Sequence, residues 1–226
     1  MTGKRDLVVA ITFGLTALLA SAQEPTAPAV SPIAPPARSV RISFVPPPMQ
    51  GTISLGIYDA EGKLVRVFKQ EAELDEFEVG DDGLSVRWDG KDDNGYDLPE
   101  GKYRARGYIV GPIKIEPVPV SGAVLGPPIL ETPIQVRLVR NPLQRNETPL
   151  VDLDLGHDDE NAYLKTGDGL PLVTIGNFGD VESAWFINRS DQALTVLLRR
   201  PSESLLVKVG PISKMMAFDC GEFQLK

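Results

Sequence analysis

Hydrophobic and polar residues alternate with a period of two along most of the chain after residue 39. Val40, Ile42 and Phe44 alternate with polar residues, and the segment 53–57 repeats the pattern after a run of prolines. Such short alternating segments are typical of β-strands with one buried face. Beyond the first 22 residues, no window of eleven or more residues shows the 3.6-residue period of an amphipathic helix. The pattern therefore predicts an all-β protein.

The clearest local element is a β-hairpin at residues 51–68. Its two alternating runs are separated by Asp59-Ala60-Glu61-Gly62, in which the glycine can take a positive φ. Residues 71–82 are strongly acidic and are expected to form a solvated loop with one short edge strand around Phe77 and Val79. Further strands are predicted at 84–88, 103–110, 134–139, 150–155, 172–175, 184–187, 194–198, 205–209 and 215–218.

Two proline-rich segments divide the chain. Residues 23–38 hold five prolines among alanine and serine, and this composition is typical of an extended, semi-rigid spacer. Residues 111–133 contain six prolines, which would interrupt the hydrogen-bond ladder of a sheet. We therefore expect one β-sandwich domain at 39–112, a proline-rich linker at 113–133 and a second β-rich domain at 134–226.

The first 22 residues have the organisation of a secretory signal peptide. Lys4 and Arg5 precede an apolar segment at 7–20, and the small residues Ala20 and Ala22 match the pattern that signal peptidase accepts. The alternative is a membrane anchor, but an apolar run of about 14 residues is shorter than the roughly 20 that a spanning helix needs. We expect cleavage after Ala22 and export, with no transmembrane segment in the mature chain.

Composition and charge exclude several kinds of site. The 226 residues carry a formal net charge of −8 and include one histidine, His157, and one cysteine, Cys220. These counts exclude a zinc site built from several Cys and His side chains, and also an internal disulfide. The negative charge argues against a nucleic-acid surface, which needs concentrated Lys and Arg. Cys220 is expected to be a small buried residue, with an intermolecular disulfide as the alternative.

The most specific motif combines two aromatic residues with turn-forming residues in a fixed order: Trp88, Asp89, Gly90, Asn94, Gly95, Pro99, Gly101 and Tyr103. The tryptophan ring is large enough to fill the space between two sheets. The aspartate can accept backbone N–H bonds, the glycines permit positive φ, and Asn-Gly is a favoured two-residue hairpin turn. We expect all eight residues to be structural.

With this motif and the hairpin before it, residues 53–108 resemble the immunoglobulin-like domain of the flagellar hook-capping protein family (FlgD-type). The resemblance covers about a quarter of the chain, and no family is recognised for 113–226. It implies an immunoglobulin-like sandwich at 39–112 and a bacterial source, because this module recurs in many exported bacterial proteins. Hook-capping members lack a cleaved signal peptide and carry an export-binding amino-terminal region that this sequence lacks, so a flagellar role is not expected.

Two acidic segments are candidate metal sites. The turn with Asp89, Asp92, Asp93 and Asn94 offers oxygen ligands that suit calcium, but Gly101 stands where an EF-hand requires a glutamate. In the second segment, at 152–161, His157 with Asp154 or Asp158 is a candidate for binding one metal ion. Each segment also has a structural alternative. The first would be a hairpin turn, and the second would be a strand that ends in a solvated acidic loop. We expect the structural alternative and predict no cofactor, with weak calcium binding left open.

The sequence contains none of the motifs that would identify an enzyme. It has no G-x-S-x-G nucleophile motif, and a Ser-His-Asp arrangement would have to use His157 in an acidic loop. A Cys-His pair would require Cys220 to meet His157, which the sequence neither demands nor forbids. We therefore predict that the protein is not an enzyme, and a metal-assisted hydrolase acting through residues 152–161 is the remaining catalytic alternative.

Apolar strands in the second half offer a binding site of another kind. Trp185 and Phe186 lie in a run of apolar strands that is expected to form a sandwich core, or alternatively an edge that a partner completes. If they are exposed, these rings or Tyr163 are candidates for stacking on sugars. We therefore expect an exported, non-enzymatic structural or protein-interaction module that binds another protein of the bacterial envelope or surface. The alternative is a carbohydrate- or polymer-binding accessory module.

Overall fold

A computed structural model describes residues 38–81, 83–119, 134–137, 150–190 and 192–226. The regular elements of these residues are β-strands and one three-residue 3-10 turn, Leu74–Glu76, and none of these residues is α-helical. The prediction of an all-β protein is confirmed. The predicted signal peptide (1–22) and nearly all of the predicted spacer (23–38) lie outside the described residues. Within the described ranges, no helix is long and apolar enough to cross a membrane.

Antiparallel pairing joins all of the described strands into four sheets. In chain order the strands are β1 (Val40–Phe44), β2 (Thr52–Tyr58), β3 (Leu64–Ala72), β4 (Glu78–Gly80), β5 (Gly83–Trp88), β6 (Gly101–Val110), β7 (Lys114–Val118), β8 (Ile134–Arg137), β9 (Leu150–His157), β10 (Asn161–Thr166), β11 (Pro171–Asn177), β12 (Ser183–Arg189), β13 (Leu194–Arg199), β14 (Ser204–Gly210) and β15 (Met215–Leu225). The hairpin predicted at 51–68 is confirmed as β2 and β3, although β3 continues to Ala72.

Two of the sheets enclose one apolar core, and we call this part the first sandwich. A three-stranded sheet has the order β1-β5-β4, and a four-stranded sheet has the order β15-β6-β2-β3. Alternate residues of the first two strands face the core, namely Ile42 and Phe44 of β1 and Ile53, Leu55 and Ile57 of β2. The period-two alternation in the sequence therefore marks the inward face of the first strands correctly.

The other two sheets form the second sandwich. Their orders are β11-β10-β9-β8 and β12-β13-β14-β7. Leu194, Val196 and Leu198 of β13 face the core between these sheets, while the residues between them face outward. Strand β10 was not predicted, since its inward positions include the small Ala162 and the polar Thr166, which weaken the hydrophobic pattern.

The last strand does not join the strands that precede it in the sequence. β15 pairs with β6 of the first sandwich, from Met215 opposite Val110 to Leu225 opposite Gly101. From the sequence, these residues were predicted to belong to a second domain at 134–226. The structure differs because an alternating pattern shows that a strand has a buried face but not which sheet it joins. The chain leaves the first sandwich after β6, forms the second from β7 to β14, and returns to the first as β15.

Strand β7 lies inside the segment predicted to be a linker, 113–133. It pairs with β14 alone and so forms an edge of its sheet. Pro117 has no N–H to donate, and an edge strand tolerates this because one of its sides makes no ladder bonds. The proline-rich composition was therefore not sufficient evidence against a strand at this position. Residues 120–133 lie outside the described residues.

The four-stranded sheet of the first sandwich is covered on both faces. Its inner face contributes to the first core, while Tyr108, Val110 and Met215 on its outer face are buried in the core of the second sandwich. Leu64 and Val67 of β3 also pack against that second core. Burial on both faces explains why the end of β6 is a continuous apolar run rather than an alternating one. The two cores therefore meet across this sheet.

Two polar contacts also connect the sandwiches. Glu71 Oε1 accepts hydrogen bonds from the Thr174 N–H at 2.7 Å and the Thr174 hydroxyl at 2.5 Å. The Arg106 guanidinium lies 3.8 Å from the Asp168 carboxylate and 4.9 Å from the centroid of the Tyr58 ring. Burial, together with the charge of Asp168, raises the pKa of the Tyr58 hydroxyl well above its usual value. Tyr58 is therefore neutral, and Arg106 and Asp168 form the charged pair at this contact.

We expect Glu71→Ala to lower the free energy of unfolding by about 2 kcal/mol, because hydrogen bonds to a charged acceptor are among the stronger ones and the Thr174 groups lose their partner. Glu61→Ala, in the exposed β2–β3 turn, is the matched control and should change stability by less than about 0.5 kcal/mol. Urea denaturation of the full chain measures both values. Equal midpoints for the two variants would show that the Glu71–Thr174 contact does not stabilise the fold.

Candidate functional site

The tryptophan of the sequence motif is a core residue. Trp88 is 0 % exposed, and its indole N–H donates a hydrogen bond to the Lys91 carbonyl at 2.9 Å. Its ring meets Tyr103 and Phe223 edge-on, with centroid distances of 5.4 and 5.7 Å. The indole thus joins β5, β6 and β15 in one aromatic cluster. No part of this ring is available to a ligand.

Carboxylates in the acidic turn accept hydrogen bonds from backbone N–H groups. Asp89 accepts one from the N–H two residues further on at 3.2 Å, and Asp92 accepts one from the Asn94 N–H at 2.9 Å. Asp93 reaches across to the Val67 N–H of β3 at 2.9 Å. The oxygens that suit calcium are thus the oxygens that hold the turn and attach it to the hairpin.

The remaining motif residues shape the backbone around this turn. Gly90 and Gly95 have φ values of 77° and 81°, in the left-handed region that favours glycine. Gly101 begins β6. The Tyr103 hydroxyl donates a hydrogen bond to the Pro99 carbonyl at 2.9 Å, which ties the start of β6 to the loop before it. Tyr103 was predicted to be structural, but this hydrogen bond was not predicted.

The candidate metal ligands Asp154, His157 and Asp158 lie on β9 and in the turn after it. Asp154 and His157 are three positions apart on one strand, so their side chains leave opposite faces of the sheet. Asp154 pairs with Lys165 at 3.5 Å, and two backbone N–H groups of the turn lower the pKa of Asp158 by donating to its carboxylate. Within the described residues, no three His, Cys, Asp or Glu side chains are arranged to hold a metal ion.

Cys220 lies in β15 and packs against the core of the first sandwich. Burial, with the charge of Asp219 as the second cause, raises the pKa of its thiol well above the ordinary range. A thiol with a raised pKa carries little thiolate and is therefore a poor nucleophile. His157 lies in the second sandwich, on β9. The two residues of the candidate Cys-His pair, Cys220 and His157, therefore lie in different sandwiches.

The three aromatic candidates for stacking point in different directions. Phe186 packs against the core of the second sandwich. Tyr163 lies in the sheet β11-β10-β9-β8, where its ring covers Gly156 on the neighbouring strand. Trp185 is half-buried and faces outward from the sheet β12-β13-β14-β7. Tyr163 and Trp185 are both half-buried on outward faces, but of different sheets, so the fold does not combine these rings into one platform.

Trp185 begins an apolar row that crosses this sheet. The register places Trp185 opposite Leu197, Leu197 opposite Leu206, and Leu206 opposite Val118. Cross-strand partners share a face of a sheet, so the row runs over all four strands on the side away from the core. We call this side the outer face. It was not predicted, because the row depends on the pairing of β7 with β14.

A cavity of about 530 Å³ opens at one end of the outer face. Its lining includes Lys114 of β7, Lys208 of β14 and Lys214, which precedes β15. Glu116 is the one carboxylate among the described lining residues. The three lysines are far apart in the sequence and are brought together by strand pairing, so no local motif signals them. We call this site the lysine cavity.

Most of the residues named from the sequence are thus used by the fold itself. The turn motif, the acidic turn and the segment around Asp158 hold backbone groups in place. Among the described residues, the outer face is partly exposed, with Leu197 of its row only 4 % exposed, and the lysine cavity is open. Compared with protein-family models, curated proteins and solved structures, the chain shows no match.

Proposed function

We propose that the chain is an exported, non-enzymatic structural and protein-interaction module of the bacterial envelope or surface. The observation that carries this proposal is the strand order of the first sandwich. Sheets in the orders β4-β5-β1 and β3-β2-β6-β15 correspond to strands D-E-B and C′-C-F-G of an immunoglobulin-like domain. In this interpretation, the second sandwich is inserted between strands F and G.

The hydrogen bond of Tyr103 supports the same assignment. Immunoglobulin-like domains have a tyrosine near the start of strand F whose hydroxyl bonds to the backbone a few residues upstream. Tyr103 near the start of β6 makes this bond to Pro99. Ala105, at the position where antibody domains carry a disulfide cysteine, is fully buried. Trp88 departs from the antibody pattern, because it lies on β5, the strand assigned here as E.

A structural role also agrees with the way the polar residues are used. An active site needs a nucleophile, a base and an orienting group in one place. Here Asp89, Asp92 and Asp93 of the acidic turn, and Asp158 of the turn after β9, each accept hydrogen bonds from backbone N–H groups. In this proposal, the protein acts on other molecules by binding them through its surface and not through a reactive group.

The outer face is the proposed contact surface for a protein partner. In the apolar row, Trp185, Leu206 and Val118 are half-buried while Leu197 is only 4 % exposed, so the three half-buried side chains would form the apolar centre of the proposed interface. Exposed polar residues such as Arg199 and Lys208 lie beside the row, where an interface has its rim. The outward position of Trp185 also keeps a carbohydrate-binding module as the second candidate. The aliphatic neighbours favour a protein, since sugar rings stack on aromatic ones.

Connections at the two ends of the first sandwich fit a module held by its amino-terminal side. Arg38 donates a hydrogen bond to the Lys226 carbonyl at 2.9 Å and another to the Leu98 carbonyl at 2.7 Å. The start of β1 and the end of β15 therefore lie together, and the second sandwich is joined at the opposite ends of β6 and β15. The start of the described residues and the connections to the second sandwich therefore lie at opposite ends of β6 and β15.

Expression in a bacterium with a photo-reactive amino acid at Thr195, on the outer face, tests the proposal. We expect mature protein lacking residues 1–22 in the envelope or medium, and a cross-link to one envelope protein. The control position is Glu61, in the exposed turn of the first sandwich, where we expect no such product. Cytoplasmic protein that retains residues 1–22 would contradict export, and equal cross-linking at both positions would contradict the contact surface. A glycan array with the same protein tests the second candidate.

A further inference from the structure

We propose that the lysine cavity binds a linear ligand with several negative groups, of the sugar-phosphate or uronate type. The inference goes beyond the proposed protein contact, because it concerns a different ligand and different residues. Its first support is the charge of the site. Lys114, Lys208 and Lys214 line one space with Glu116 as the described counter-charge, in a chain whose formal net charge is −8.

The sheet register holds two of these lysines close together. Lys208 pairs with Glu116, and Gly210 pairs with Lys114. Lys114 and Lys208 are therefore diagonal neighbours on the outer face, and diagonal positions on paired strands are typically about 7–8 Å apart, measured between the residues' backbone positions and not between the ammonium groups. Among the described residues, none of the three cavity lysines forms an ion pair. Glu116, opposite Lys208 in the register, offsets part of the repulsion among the three lysine charges, and a bound anion would offset more of it.

Backbone contacts fix the walls of the cavity. The Lys214 carbonyl accepts a hydrogen bond from the Gly111 N–H at 2.9 Å, and the Gln192 carbonyl accepts one from the Ile212 N–H at 3.0 Å. A side chain at Gly210 would approach the Gln192 carbonyl to 2.6 Å, so a glycine lets these segments meet. The site is therefore present before any ligand binds, and ordering its walls does not reduce the affinity.

Size and side-chain chemistry indicate the class of ligand. A volume of about 530 Å³ falls in the range of small-molecule sites and exceeds what one phosphate would fill. Lysine ammonium groups are mobile point charges that suit phosphate and carboxylate oxygens alike, without the planar selectivity of arginine. Three lysine ammonium groups around one cavity could therefore each contact one of several negative groups along a chain of sugars.

Isothermal titration of the full-length mature protein tests the inference with two probes, tri-galacturonate for uronates and a trimer of a sugar phosphate for phosphates. We expect binding of at least one probe in 50 mM salt. Which of the two probes binds shows whether the cavity takes uronates or sugar phosphates. Since one charge-assisted contact of about 1.4 kcal/mol corresponds to a factor of ten, Lys208→Gln should weaken binding about tenfold. Lys63→Gln, which removes an exposed lysine of the β2–β3 turn, should leave it unchanged.

Other outcomes are equally decisive. Absence of heat with both probes, or equal weakening by Lys208→Gln and Lys63→Gln, would overturn the inference. Binding of a polyglutamate peptide alone would also overturn it, and would indicate an acidic protein as the ligand. Trp185→Ala separates this site from the proposed contact surface, because it should abolish the cross-link at Thr195 and leave tri-galacturonate or sugar-phosphate binding intact.

Discussion

Replacing Trp88 by alanine is expected to lower the free energy of unfolding by about 3–5 kcal/mol. The indole is completely buried and donates a hydrogen bond to the Lys91 carbonyl. Its removal would leave a cavity beside Tyr103 and Phe223 and an acceptor without its partner. A typical domain is stable by about 5–15 kcal/mol, so this one substitution removes a large part of the total.

The second tryptophan provides the matched control for this measurement. Trp185 is half-buried and faces outward from its sheet, so Trp185→Ala should cost less than about 1.5 kcal/mol. If Trp88→Ala does not fold, Trp88→Phe keeps most of the buried ring and should cost about 1–2 kcal/mol. Guanidinium denaturation followed by far-ultraviolet circular dichroism measures all three variants. A smaller loss for Trp88→Ala than for Trp185→Ala would contradict the assignment of Trp88 to the core.

Local chemistry made the turns of the first sandwich predictable. Asp89 and Asp92 bond to backbone N–H groups only two to four residues away, and Gly90 and Gly95 take the positive φ that glycine allows. All of these contacts lie within one short segment, so the sequence contains everything that determines them. The contact of Asp93 with the Val67 N–H was not predictable in this way, because it joins segments that only the folded sheet brings together.

Long-range pairing set the limit of the sequence analysis. The buried face of β15 was visible at Met216 and Phe218, but its partner β6 lies more than a hundred positions earlier in the chain. The lysine cavity has the same origin, because Lys114 and Lys208 become neighbours only when β7 pairs with β14. Alternation predicts that strands exist and which side is buried, whereas the pairing depends on loop closure and packing over the whole chain.

Removing residues 215–226 is expected to abolish cooperative folding of the first sandwich. Met216, Phe218 and Leu225 are each less than 5 % exposed in its core, and loss of each large apolar side chain typically costs about 2–5 kcal/mol. The sum is comparable to the whole stability of a typical domain, about 5–15 kcal/mol. Thermal denaturation of the truncated chain should therefore show no sharp transition. Removal of residues 23–37, which are all but the last residue of the predicted spacer 23–38, is the control and should leave the melting curve unchanged.

A full-length variant separates the role of β15 from the general effect of shortening the chain. The Phe218 ring stacks on Phe44 of β1 with a centroid distance of 5.0 Å, and it lies directly over Gly107 of β6. Phe218→Ala should therefore lower the free energy of unfolding by about 3–5 kcal/mol. If residues 39–112 folded as a complete domain, as their boundaries in the sequence suggest, neither Phe218→Ala nor the truncation would destabilise them. Because β15 pairs with β6, we expect it to be the strand that completes the sheet. A truncated protein that melts like the full chain would contradict this, and would show that the first sandwich folds without β15.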